Sequence, residues 1–179
     1  MKLHESADIV FTSLPNASVH SKKYKALLGI PCLSVYNTYN PKVDRESYYK
    51  IWLDFLVDNG VDIKSCKLVY TTKEDYIETL KFEAYFSSAF GFDLEIENCH
   101  TLNDFNSVLS EAEIIISGRM HALILGLNHG AKNLVFPISD KLEEYSLMCS
   151  GKGEIEYIRS VAVNETIDFL SRFLKNDVK

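Results

Sequence analysis

The sequence predicts an α/β domain, doubly wound, with a mainly parallel sheet and helices on both faces. Two observations carry this expectation. Short apolar runs alternate along the chain with stretches whose apolar residues recur at helical spacing, the order of strands joined by helical crossovers. The segment 113–141 also reads by itself as strand, tight turn, helix, strand, the unit from which parallel sheets are built.

Taken in order, residues 9–12 are a strand candidate, and 18–28 read as a helix stopped by Gly29. Pro31 opens a strand over 32–36, followed by the turn-rich loop Asn37-Thr38-Tyr39-Asn40-Pro41. Tyr48, Ile51, Trp52, Phe55 and Leu56 recur at helical spacing as far as Gly60. A strand over 67–71 leads to a helix over 75–90, with Ile77, Leu80 and Ala84 on its apolar face and Gly91 as its stop. Residues 94–96 form a short strand, and Leu102, Phe105, Val108 and Leu109 form one helical stripe.

The unit 113–141 follows. A buried-strand run over 114–116 ends in Ser117-Gly118, where the lack of a Cβ permits a sharp turn. An apolar helix over 120–128 stops at Gly130, and a strand over 133–136 stops at Pro137. Beyond it we expect a helix over 140–148, a flexible loop at 150–153, a last helix over 164–174 and a frayed tail at 175–179.

Composition narrows the function. A chain of 179 residues suits one domain, and 46% hydrophobic residues suffice for a sizeable core. The net charge of -6 and the lack of a basic stripe argue against nucleic acid as a partner. No apolar run reaches the length of a membrane span, and the N-terminus lacks the apolar core of a secretory signal. Cys32, Cys66, Cys99 and Cys149 are far apart, so neither a zinc site nor a disulfide framework is expected. They read as reduced thiols of a cytoplasmic protein. No Gly-x-Gly-x-x-Gly and no Walker-type loop is present.

The candidate chemistry sits in the turn after residue 117. Arg119 and His121 fall where a strand ends and a helix begins, and ligands of open parallel sheets bind outside the carboxyl ends of the strands. A helix N-terminus offers unpaired N–H groups and partial positive charge, and a guanidinium grips a carboxylate or phosphate at two points. One reading is an anion site with a titratable group beside it. The other is a surface ion pair for Arg119 and a packing contact for His121. Asn37, Thr38, Thr71, Thr72, Asp75, Asn98, His100, Asp140 and Lys141 should collect at the same sheet edge. Ser, Thr, Asn and Asp serve as caps and turn formers anyway, so Arg119, His121 and Lys141 stand out. His129 sits near a helix C-terminus, where the dipole alone accounts for it.

The run Ile114-Ile-Ile-Ser-Gly-Arg-Met-His-Ala-Leu-Ile-Leu-Gly-Leu, with Phe136-Pro-Ile-Ser-Asp-Lys downstream, resembles the polysaccharide pyruvyltransferase family. That family carries a similar strand, then Gly-Arg-x-His-Ala, an Ala/Gly-rich helix, a strand and a later Lys. The likeness is strongest over about residues 110–145 and weaker back to Ala7. It implies a Rossmann-like domain resembling the C-terminal, donor-binding half of a two-domain GT-B fold, with the N-terminal domain absent. It also implies transfer of pyruvate from phosphoenolpyruvate, as a ketal, to a sugar of a surface polysaccharide or a lipid-linked precursor. No further cofactor and no metal are implied. Where relatives carry a basic residue after the second strand, this sequence has Asn37 and Thr38.

The expected site is then His121 and Arg119 as catalytic groups, with Arg119, Lys141, Gly118, Asn37 and Thr72 binding substrate. His121 either delivers a proton to the enol carbon or steadies the departing phosphate as a cation. Two other readings stand beside this one. The first is a glycosyltransferase half-domain that holds a nucleotide sugar at the same edge. The second is a non-catalytic domain that binds a partner subunit, the missing first domain or another copy of itself.

Overall fold

The computed structural model describes residues 22–149. The elements expected at 9–12, 150–153, 164–174 and 175–179 lie outside the described residues. Within them the chain runs β1 (Tyr24–Gly29), α1 (Leu33–Tyr39), α2 (Arg45–Asp58), β2 (Cys66–Val69), α3 (Lys73–Phe90), α4 (Leu102–Ser110), β3 (Ala112–Ser117), α5 (Met120–Asn128), β4 (Lys132–Val135) and α6 (Asp140–Cys149). The four strands form one parallel sheet in the order β2-β1-β3-β4. This is the doubly wound α/β fold.

Both faces of the sheet are covered. Neighbouring residues on a strand point to opposite faces, yet Leu27 and Leu28 of β1, and Ile115 and Ile116 of β3, are all fully buried. From β1 the chain goes to one side, to β2. It then returns across β1 to place β3 on the other side. The order therefore reverses between β1 and β3, the switch point at which such sheets bind ligands. Register makes the rim level: Gly29 pairs with both Val69 and Ser117, and Ser117 pairs with Val135. The loops that carry the site all leave from this row.

Three expectations are corrected. Residues 24–29 belong to a strand, not to a helix over 18–28. Ala26, Leu27 and Leu28 favour helices in isolation, but a central position between β2 and β3 buries them as a strand, and burial outweighs propensity. The segment expected as a strand over 32–36 is helix α1 from Leu33 on, with Cys32 as its N-cap, since a short apolar run fits either structure by pattern alone. On α3, Ile77, Leu80 and Ala84 face outward. The buried positions are Asp75, Glu78, Thr79, Phe82 and Phe86.

The elements from β2 onward otherwise follow the expected order. The strand foreseen at 94–96 reduces to one parallel bridge, Ile96 to Leu68, which extends the sheet beyond β2. Helix α3 ends at Gly91 with φ 74°, and Gly130 after α5 has φ 75°, both in the left-handed region that glycine tolerates. Helix α5 lies very close to β3: a Cβ on Gly126 would run into the Ile115 side chain.

Candidate functional site

Asp75 and Glu78 lie one turn apart on the buried face of α3, and they organise the switch point. The Asp75 side chain is 2% exposed. Its Oδ1 accepts from Cys32 N–H at 2.9 Å and from Arg119 Nη2 at 2.6 Å. Its Oδ2 accepts from Arg119 Nε at 3.0 Å and from the Thr71 hydroxyl at 2.5 Å. Glu78 accepts from Leu33 N–H at 3.2 Å, from Arg45 Nε at 2.9 Å and from the Tyr49 hydroxyl at 2.6 Å. Buried carboxylates need such partners to hold their charge.

The two carboxylates also complete helix α1. Its N-cap residue, Cys32, provides no side-chain cap. The N–H groups of Cys32 and Leu33, which a helix start leaves orphaned, are bonded by Asp75 and Glu78 instead. The loop from β1 to α1 is thus tied to α3, and the Tyr48 hydroxyl adds a bond to the Pro31 carbonyl at 2.7 Å.

Across the switch point, Ser117 joins the ends of β3 and β1. Its hydroxyl donates to the Gly29 carbonyl at 3.0 Å and accepts from Arg119 N–H at 3.1 Å. Gly118 is pressed between strand ends: a Cβ there would come within 3.0 Å of Pro31 Cγ. This turn sends the Arg119 side chain back to Asp75. Burial works against the guanidinium's charge, and the hydrogen bonds and charge of Asp75 more than offset it, so its pKa is raised. Helix α5 begins immediately after Arg119 with no side-chain cap, which leaves its first-turn N–H groups for a ligand or water.

These elements surround a cleft of about 390 Å³ at the carboxyl rim. Gly118, Arg119 and His121 line it from the start of α5, and Ser139, Lys141 and Leu142 from the start of α6. Thr71 and Thr72 contribute from the β2–α3 turn, and Val35 and Tyr39 from α1. His121 and Lys141 are exposed, and neither side chain has a hydrogen-bond or ion-pair partner among the described residues. Two cationic or titratable groups and two helix N-termini therefore face one space, an arrangement suited to an anion.

The structure brings five of the six expected site residues to this cleft: Gly118, Arg119, His121, Lys141 and Thr72. Thr72 caps α3 through Asp75 N–H, so its hydroxyl already has a structural task. Asn37 does not line the cleft. Its amide closes the turn after α1, donating to the Val43 carbonyl at 3.1 Å and accepting from Val43 N–H at 3.2 Å. It was expected at the rim because a strand was expected just before it.

Asp75 reads in the sequence as a helix-start residue, and Glu78 is not among the expected site residues. Their signal was available: Asp75, Glu78, Phe82 and Phe86 follow one another at three- and four-residue steps, a single helical face. Among the described residues, no group of three or more His, Cys, Asp or Glu side chains is arranged to hold a metal ion. Nor is any described helix long and apolar enough to cross a membrane.

Residues 2–140 match the family model described as polysaccharide pyruvyl transferase. The match takes in β1 to β4 and all the cleft residues before Lys141. No curated protein and no solved structure matches the chain.

Proposed function

The chain belongs to the polysaccharide pyruvyl transferase family, and from that premise we propose that its rim cleft binds phosphoenolpyruvate as the pyruvyl donor. Membership in the family indicates pyruvyl transfer to polysaccharide. The identity of the donor and the work of each residue are our reading. The observation that carries it is the convergence of Arg119, His121, Lys141 and the starts of α5 and α6 on one cleft.

Phosphoenolpyruvate carries a carboxylate and a phosphate. Lys141 and the helix N-termini answer its charge, and the guanidinium of Arg119 fixes one end. Ketal formation adds a proton to the methylene carbon and makes the central carbon electrophilic. A sugar hydroxyl then bonds to that carbon, phosphate leaves, and a second hydroxyl closes the ring as the hydroxyl protons are lost. In this reading His121 gives the first proton, or carries positive charge against the leaving phosphate. The sheet is then the donor half of a GT-B-like pair. The acceptor, a polysaccharide or a lipid-linked sugar, is met by another domain or a second copy. A cytoplasmic setting agrees with the free thiols of Cys32, Cys66 and Cys99.

A melting-temperature panel tests the donor. Phosphoenolpyruvate should raise the transition of the wild-type chain and leave Arg119→Ala unmoved. Nucleotide sugars should shift neither protein. A shift with nucleotide sugars and none with phosphoenolpyruvate would instead make the cleft a glycosyltransferase donor site.

A further inference from the structure

The geometry points to Asp75 as a positioning residue for pyruvyl transfer, holding Arg119 so that the guanidinium meets the donor through Nη1 alone. This inference rests on the donor reading of the cleft. Arginine has five N–H donors. Nε and Nη2 of Arg119 both bond to Asp75, and Nη2 also approaches Cys32 Sγ at 3.9 Å. Nη1 has no hydrogen-bond partner among the described residues, and the side chain keeps 26% exposure beside the cleft. The two-point grip expected from the sequence is therefore already taken, by the protein's own carboxylate.

Asp75 is too deeply buried to touch a donor, so it acts through its partners. Thr71 lines the cleft wall and Cys32 starts α1, and both donate to the same carboxylate as Arg119. One carboxylate thereby fixes the guanidinium against two walls of the site. Its negative charge also balances a cation that would otherwise stand alone in a half-buried position. An arginine held in this way surrenders little rotamer freedom when the donor arrives. A single nitrogen with two hydrogens bridges one oxyanion group, and the donor's second anionic group falls to Lys141 and the helix starts.

The test compares the full wild-type chain with Asp75→Asn and Arg119→Lys. Asparagine keeps the shape but sets an amide N–H₂ against the converging donors, which frees the guanidinium. Lysine keeps the charge and can still pair with Asp75, but it has no second nitrogen for the cleft. Both variants should weaken phosphoenolpyruvate binding by about tenfold or more, the loss of a charge-assisted hydrogen bond. Arg119 should also react about tenfold faster with an arginine-selective dicarbonyl in Asp75→Asn than in wild type, mapped by peptide mass spectrometry, since a freed guanidinium is no longer shielded. A merely structural Asp75 would lower the melting temperature without singling out Arg119 among the arginines.

Wild-type donor affinity in either variant, or unchanged Arg119 reactivity in Asp75→Asn, would overturn the inference. If the wild-type chain binds no phosphoenolpyruvate, the donor reading fails. The dicarbonyl reaction then still decides whether Asp75 holds Arg119.

Discussion

Helix α5 turns Ala122, Leu123, Ile124 and Gly126 inward, whereas α3 buries Asp75, Glu78 and Thr79 in its first half and Phe82 and Phe86 in its second. The two helices reach the sheet by different physics. Helix α5 is held by apolar area and by an approach so close that Gly126 has no room for a side chain. The first half of α3 is held by two carboxylates that gather Arg119, Arg45, Tyr49 and the start of α1. A well-packed apolar substitute would stabilise a fold as well as a buried ion pair does. What the carboxylates add is a fixed charge geometry, and it lies at the switch point beside the cleft.

Urea unfolding tests this contrast. Phe82, fully buried and edge-on to the Tyr49 ring at 5.3 Å, should show the largest effect. Phe82→Ala should cost about 4 kcal/mol. Glu78→Ala should cost about 2 kcal/mol, because the Tyr49 hydroxyl and Leu33 N–H lose their acceptor. Arg45, with its side chain 44% exposed, turns to water instead and adds little. Gly126→Ala should cost about 1 kcal/mol net, overpacking against Ile115 less the gain in helix propensity. Leu80→Gln, on the outward face, should stay within about 0.5 kcal/mol of wild type. A cost at Leu80 comparable to that at Phe82 would mean that the faces of α3 are assigned the wrong way round. His121→Ala should leave stability unchanged while lowering turnover by about a hundredfold or more, the effect of losing a general acid.

The legible parts of the sequence were those in which period and punctuation agreed. In β3–α5–β4, a branched apolar run, a glycine turn, a helical repeat and a glycine stop name the same elements that the structure shows. Arg119, His121 and Gly118 were therefore found at the rim, and Lys141 followed from the next strand end. The β1–α1 region was misread because Ala26, Leu27 and Leu28 are helix formers locally and strand residues only in the sheet. That error carried Asn37 to an edge it does not reach. Asp75 was hidden for another reason. Thr72 and Asp75 satisfy the pattern of a helix start; the stripe shared with Glu78, Phe82 and Phe86 marks the inward face, but nothing local names an arginine 44 residues away as the partner. Pairings at such separation are set by topology, which the pattern of a single segment does not contain.

In our reading the rim cleft takes a small donor with two anionic groups, with Arg119 at one end of it. Isothermal titration of phosphoenolpyruvate into the wild-type chain and into Arg119→Ala is the most direct measurement. We expect saturable binding to the wild type and its loss in Arg119→Ala, with the variant still folded. Equal binding by the two proteins would contradict this reading.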